Sequence, residues 1–486
     1  MTDPTPTPTP TPAPAPSGPG RRASVVRRRR VDILVALAIG LPTVVALGIG
    51  AIGGEDSPQP GGVRPPTSSA LTSATTVCPA GLEPGAVPVR VGRSPGVPGG
   101  DLDVLTGTPT ATTVTEAAPV AVTADTTATV PGSTGATVLT GKGEAAPGIV
   151  AGRGEGLAVP ECRAPSYDEW LVGLGASARY ATTVELVNPD DGEAVVDIAL
   201  SDASGPVEEP ALRGIQVPAH GVKRIDLSAT APRRTLTAAH VTVIRGRVAT
   251  TARTTRDPLG RGRVSTEFQP TQAEPDTSNL ILGLPTKPTG ATLFIANPGQ
   301  DEVRATVRLV TTDATFTPTD AEPISVAPGA MATADLSKLL AGKSGEGVVG
   351  VLVESPDPVA ASVRLLQSSD LVLLVPAIDV REPTAAVLPA GAKTLLLGGA
   401  QRPGVVHVTS YDAAGAQLRD DQVEVAPDRA ASLALPPGAV RVAVEARNTR
   451  VAGVFSMPVA GRQGGLATLR LRPAETHARI PVVVPQ

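Results

Sequence analysis

ATTVELVNPDDGEAVVDIALSDASG, residues 181–205, and ATLFIANPGQDEVRATVRLVTTDAT, residues 291–315, follow one plan. Each opens with an apolar run, breaks at Asn-Pro and an acidic turn, and resumes as an alternating Val-x-Val-x-Leu run. Alternation with period two is the signature of a half-buried strand, and Asn-Pro with Asp or Gly is turn chemistry. Asn188-Pro189 recurs as Asn297-Pro298, Val217 as Val326, and Asp226-Leu227-Ser228 as Asp335-Leu336-Ser337, all at a shift of 109. Ahead of them Leu171-Val172-Gly173-Leu174 matches Ile281-Leu282-Gly283-Leu284 at a shift of 110. A single offset held by several markers is an internal repeat.

A third, more divergent copy starts at KTLLLGGAQRPGVVHVTSYDAAG, residues 393–415, with Gly399-Ala400 where the others have Asn-Pro. Its VEVAPDRAASLAL, residues 423–435, echoes ISVAPGAMATADL, residues 324–336, at a shift of 99. Six or seven short strands per copy of about 100 residues, with turn signals every 8–12, fit a two-sheet sandwich. Propeller blades run only ~40–50 residues, and the period disfavours them. The expectation is all-β: tandem immunoglobulin-like β-sandwich repeats at 166–270, 271–383 and 384–486. A small β module over 77–165 precedes them, and one N-terminal transmembrane helix precedes that.

The core of such repeats is built from small aliphatic side chains, because aromatics make up only 2% of the chain. Glycine and proline number 51 each, much of them ahead of residue 165. The charge is uneven. Residues 1–30 carry six arginines against Asp3, leaving an acidic remainder in a chain of net charge −4. Without a basic patch the body excludes nucleic acid as the expected partner.

Residues 33–52, ILVALAIGLPTVVALGIGAI, are twenty residues without a charge. As a helix they span ~30 Å, the thickness of a bilayer's hydrocarbon core. Arg27–Arg30 lie directly before the run, and Glu55 and Asp56 follow it. The positive-inside rule then predicts a cytoplasmic N-terminus and a single pass. Residues 31–53 form the anchor, 1–30 a disordered Pro- and Arg-rich cytoplasmic tail, and 54–76 a linker. The competing reading is a signal peptide cleaved after Gly53. Cys78 and Cys162 both fall beyond the apolar run. In an oxidising compartment a lone pair predicts a disulfide, worth ~4 kcal/mol for so long a loop; the alternative is two buried thiols.

No catalytic constellation emerges. Gly342-Lys343-Ser344 ends like a phosphate-binding loop, but Ser337 stands where the pattern needs glycine. His220, His240, His407 and His477 lack metal-ligand spacing, so no metal, cofactor or catalytic residue is expected. The carboxylate pairs Asp190-Asp191, Glu208-Glu209 and Asp420-Asp421 read as solubilising turn charges. Trp170, the sole tryptophan, reads as filling the core at a module joint. Arg253 and Arg364, 111 residues apart, read as structural partners of acids within the repeats.

The anchor, the early cysteine, ECRAP at 161–165 followed by Trp170-Leu-Val-Gly, and the tandem Asn-Pro repeats together carry a resemblance. Residues 76–486 resemble an uncharacterised family of actinobacterial membrane-anchored secreted proteins, known as a domain of unknown function. The resemblance implies an envelope location and assigns no catalytic residue. The function expected is that of a non-enzymatic envelope protein presenting a binding or scaffold surface to an envelope protein or a wall polymer. The alternative is an enzyme processing envelope glycans or peptides at a carboxylate site between modules.

Overall fold

The computed structural model describes residues 67–82, 85–154, 157–232, 234–459 and 465–480. The candidate anchor, the Arg27–Arg30 cluster and the Pro-rich tail lie outside the described residues. Among the described residues no helix is long and apolar enough to cross a membrane. The described fold is all-β: antiparallel sheets with only one-turn helices.

The three repeats share one strand order. In the first, Gly205–Val207, Ala194–Asp202, Arg234–Arg245 and Asp168–Ala176 lie side by side. Val222–Asp226, Tyr180–Val187, Ala249–Arg256 and Ser265–Gln269 form the other half. The second repeat builds the same two halves around one long strand, Val348–Gln367. Its early part pairs with Asp276–Leu282 and Val303–Thr311, and its late part with Gly290–Ala296 and Asp370–Leu374. In the third, the sheet Thr384–Val387, Arg441–Arg447, Gly404–Tyr411, Gln417–Val425 faces a sheet containing Ala431–Leu435, Lys393–Gly398, Val451–Val459 and Gly465–Arg470. The first repeat thus has nine strands, counting Ile215–Val217 beside Ala194–Asp202, and the second eight, more than the six or seven expected.

Period-two alternation does the folding. In the first repeat Ala194, Val196, Ile198 and Leu200 point inward from one strand, and in the second Val303, Ala305, Val307 and Leu309 do the same. Each Val or Leu buried this way is worth ~1.5–3 kcal/mol, which lets cores almost without rings hold together.

The repeated Asn-Pro has a mechanical role. The Asn188 amide donates to the carbonyls of Gly192, Val217 and Pro218 at 2.7, 3.1 and 3.0 Å. Asn297 reproduces this on Asp301, Val326 and Ala327 at 2.8, 3.1 and 3.3 Å. One buried side chain therefore ties the turn after the second strand to the loop before Val222–Asp226 in the first repeat and before Met331–Asp335 in the second. The Asp-x-Ser triplets recur as well: Asp226 and Asp335 each accept from the Ser N–H two residues on, at 2.8 Å, and a one-turn helix follows.

The cysteine module has a four-stranded sheet (Ser73–Cys78, Thr137–Lys142, Gly100–Thr106, Thr115–Val122) and a three-stranded one (Ala128–Thr129, Arg90–Arg93, Ile149–Gly152) around a shared core. Cys78 and Cys162 are bridged, with Cα atoms 4.1 Å apart. The stretch read as linker is structured from Thr67 onward, where Thr67–Ala70 pairs with His477–Ile480.

The four modules close on themselves instead of forming an open string. Val77, Val114 and Val138 of the cysteine module pack on Val187 and Val222 of the first repeat. Val172 and Ala238 of the first pack on Phe294 and Met331 of the second. Leu282 and Val310 of the second meet Ala430 and Val454 of the third, and Ala385, Val387 and Val440 of the third return to Val150 of the cysteine module. The matched Leu-Val-Gly-Leu and Ile-Leu-Gly-Leu motifs sit at two of these seams. Gly173 (φ +85°) has Phe294 of the next repeat 2.8 Å from where a Cβ would stand, and Gly283 (φ +100°) has Val454 at 3.3 Å. A side chain at Gly173 would be strained and would collide with the neighbouring repeat.

Replacing Asn188 or Asn297 with Ala leaves three carbonyls without that donor, one of them on a buried valine. Each substitution is expected to cost about 1–3 kcal/mol, read as a lowered denaturation midpoint.

Candidate functional site

Where the four modules meet, charged side chains are buried together. Glu161 and Arg163 flank Cys162 and are held in place by backbone pairing of Arg163 with Val77, at 2.7 and 2.9 Å. Glu161 takes a two-pronged contact from Arg470 of the third repeat, at 2.6 and 2.8 Å, and a third bond from Arg472 at 3.1 Å. Arg470 also donates to the carbonyls of Pro376 and Thr271, at 2.9 and 2.8 Å. Arg163 contacts Glu169 of the first repeat and the Thr271 hydroxyl, and that hydroxyl donates to Glu169 at 3.0 Å. Every module contributes a group or a backbone carbonyl.

The electrostatics follow from burial. Burial pushes the Glu161 carboxyl up, but the charge and hydrogen bonds of Arg470, with Arg472 and Arg163, overcome it and hold the group at about 2. Burial pushes the Arg163 guanidinium down, and the neighbouring Arg472 pushes the same way. Two-pronged guanidinium–carboxylate pairing is the geometry that offsets the cost of taking charges out of water.

Above this cluster a cleft of about 640 Å³ opens between the second and third repeats. Its floor carries Arg163, Arg470, Arg472, Thr271, Gln272 and Asn279, and its walls Leu280, Val310, Leu352 and Ile378. Glu274 and Asp276 line one rim; Asp379, Asp428, Arg429 and Arg450 line the other. The volume falls in the range of small-ligand pockets. Gly399-Ala400-Gln401, the loop that replaces the Asn-Pro turn in the third repeat, forms part of the wall. The arrangement can bind and orient a ligand; the floor offers hydrogen-bond donors and positive charge.

A second carboxylate site lies between modules. Burial pushes Glu267 of the first repeat well up, with the charge of Asp370 adding to it. Burial likewise raises Asp370 of the second repeat, to about 6, against the Leu466 N–H bond that lowers it. Asp370 lines a cavity of about 510 Å³ with Arg153, Arg263 and Ser265.

The residues singled out from the sequence are scattered. His220 bonds Asp191 at 2.8 Å in a turn; His240 stacks on Trp170, ring centroids 4.3 Å apart; His407 lies in a strand of the third repeat and His477 beside Thr476. Among the described residues no three His, Cys, Asp or Glu gather as metal ligands. Asp190 pairs with Arg247, and Asp421 with Arg419. Trp170 is half-buried against the seam between the first and second repeats. Arg253 does reach an acid, Glu185, at 3.0 Å. Arg364 does not: its guanidinium lies over the rings of Tyr180 and Phe294, at 3.9 and 4.8 Å, a cation–π contact across the seam.

Sequence reading missed Glu161, Arg163, Arg470 and Arg472 as a group. The signal was there: Leu469-Arg470-Leu471-Arg472 alternates arginine with leucine after an apolar run, and Glu161-Cys162-Arg163 brackets a cysteine with opposite charges.

Glu161→Gln leaves the buried Arg470 and the half-buried Arg472 without their anion, at an expected cost of about 3–5 kcal/mol. Because the folded carboxyl titrates below its unfolded value, its contribution is complete above pH ~4.3 and is lost as pH falls toward 2. Denaturation of the wild type and of the Gln variant as a function of pH should therefore converge at low pH.

No curated protein matches the chain. Residues 109–436, two thirds of the chain, match the model of a family of unknown function. The matched span runs from the cysteine module to the fifth strand of the third repeat, and so includes Glu161, Arg163 and most of the cleft. The chain belongs to that family, DUF5719.

Proposed function

We propose that the chain is a non-enzymatic cell-envelope protein: a single-pass anchor at residues 31–53, a cytoplasmic N-terminus, and an extracytoplasmic array of immunoglobulin-like β-sandwich repeats serving as a binding or scaffold module. The cleft between the second and third repeats is its binding site, and its partner is an envelope protein or wall polymer. The reading rests above all on that cleft, a cavity of small-ligand size over a guanidinium floor. The uncharged run with arginines before it and acids after it supports the anchor. The disulfide supports an oxidising compartment.

Cross-linking in intact cells followed by purification of the full chain should recover envelope material. An Arg472→Gln chain that folds normally should lose most of it, at least ten-fold. Equal recovery with both chains would remove the cleft from the function, and no recovered envelope material with either would remove the binding role.

A second reading is an enzyme using Glu267 and Asp370, since two carboxyls with raised titration from different modules are the raw material of an acid–base pair. A purely structural origin makes a separate demand. A raised carboxyl contributes stability at low pH that is lost as pH rises through about 6. Asp370→Asn should then stabilise the fold at pH 7.5 by about 1–2 kcal/mol, allowing for screening, and be neutral near pH 4. A variant that is stabilised and keeps full binding argues against the enzymatic reading.

A further inference from the structure

The charge balance of the cleft narrows what it can hold; the argument rests on the cleft being the binding site. Arg163, Arg470 and Arg472 line the floor, whereas the carboxylates that act on them, Glu161, Glu169 and Glu475, do not line the cleft, so the floor presents guanidinium groups. Arg472 is the one with donors to spare. It spends one N–H on Glu161, and its other donors have no protein partner among the described residues. The Arg163 Nε, buried beside it, also lacks an acceptor. A monoanion matches this floor. A multiply charged phosphate does not, because the rim would repel it. There Asp379 is paired with Arg450 at 3.1 Å and Asp428 lies 3.7 Å from Arg308, but Glu274 and Asp276 have no basic partner among the described residues. Leu280, Val310 and Leu352 line the same cleft. The lining therefore offers a carboxylate seat, apolar walls and a seat for a cation.

We infer that the cleft takes the free carboxylate end of a short peptide bearing an amine: carboxylate on Arg472, small side chains between the repeats, ammonium at Glu274 and Asp276. A single carboxylate accepts two guanidinium N–H groups side by side, and a site built to bond such a group rejects analogues that lack it. The same chemistry occurs at protein C-termini and at the ends of wall peptides, which differ in the chirality of the terminal residue.

The test uses the full chain in detergent and the fluorescent peptide Lys-Ala-Ala, labelled on its α-amine. Four forms are compared: free acid, C-terminal amide, D-Ala-D-Ala free acid, and the norleucine analogue of lysine. The free acid should bind at least ten-fold more tightly than the amide, and Arg472→Gln should erase that difference. Glu274→Gln with Asp276→Asn, both on the exposed rim, should erase the preference for lysine over norleucine while sparing the preference for acid over amide. Preference between the L and D forms identifies the source. Equal binding of acid and amide, inorganic phosphate competing as well as the peptide acid, or no saturable binding of any form would overturn the inference. If envelope recovery still depends on Arg472 when the peptides fail, the ligand class is wrong and the cleft reading stands. If recovery is independent of Arg472, both fall.

Discussion

The contact of Glu161 with Arg470 and Arg472 closes the molecule. The two sides are more than 300 residues apart in the chain, one beside the disulfide and the other in the last strand of the third repeat. Their pairing joins the end of the chain to its first module. The apolar seams are all modest, and each is made of a few Val, Ala, Leu or Phe side chains. Four such seams in series, closed by one desolvated ion cluster, behave differently from a string of independent beads. Opening any seam exposes charges that have no other partner, and isolated buried charge is among the most expensive things a fold can hold. The disulfide acts at the same place, since Cys162 lies between Glu161 and Arg163 and fixes that segment to the strand carrying Val77.

That closure also creates the cleft. The arginines that neutralise Glu161 and Glu169 form its floor, so the groups that hold the modules together are the groups a ligand meets. The third repeat departs from the others at this point. Its Gly399-Ala400 loop lacks the asparagine that clamps the same turn in the first two repeats, and it borders the cavity. Without that clamp the loop of the third repeat presents its backbone to the cavity, while the same turn in the first two repeats is tied down.

Much of the architecture was legible because it is local. Period-two alternation, the Asn-Pro turns and the 109-residue offset are written in consecutive residues, and they correspond to strands, clamps and shared strand order. The pair of cysteines was legible for a different reason: only one pairing was possible. The closed arrangement was not, because it depends on which faces of separate modules are complementary, a relation with no sequence period. The central cluster was missed for the same reason. Arg470 and Arg472 look like solvated charges on a strand until Glu161 is placed opposite them. Arg364 misled in the reverse direction. An arginine in an apolar strand suggests an acid partner, and here two aromatic rings from adjoining repeats serve instead.

The account's central claim is that the four modules form one cooperative unit locked at Glu161. Native-state hydrogen exchange of the full chain in increasing denaturant tests it directly. The account predicts that the slowest amides of Ser73–Cys78, Ala194–Asp202, Val303–Thr311 and Gly404–Tyr411 merge into a single unfolding isotherm with one free energy and one denaturant dependence. Separate isotherms for each module, with the third repeat opening while the first stays protected, would contradict it.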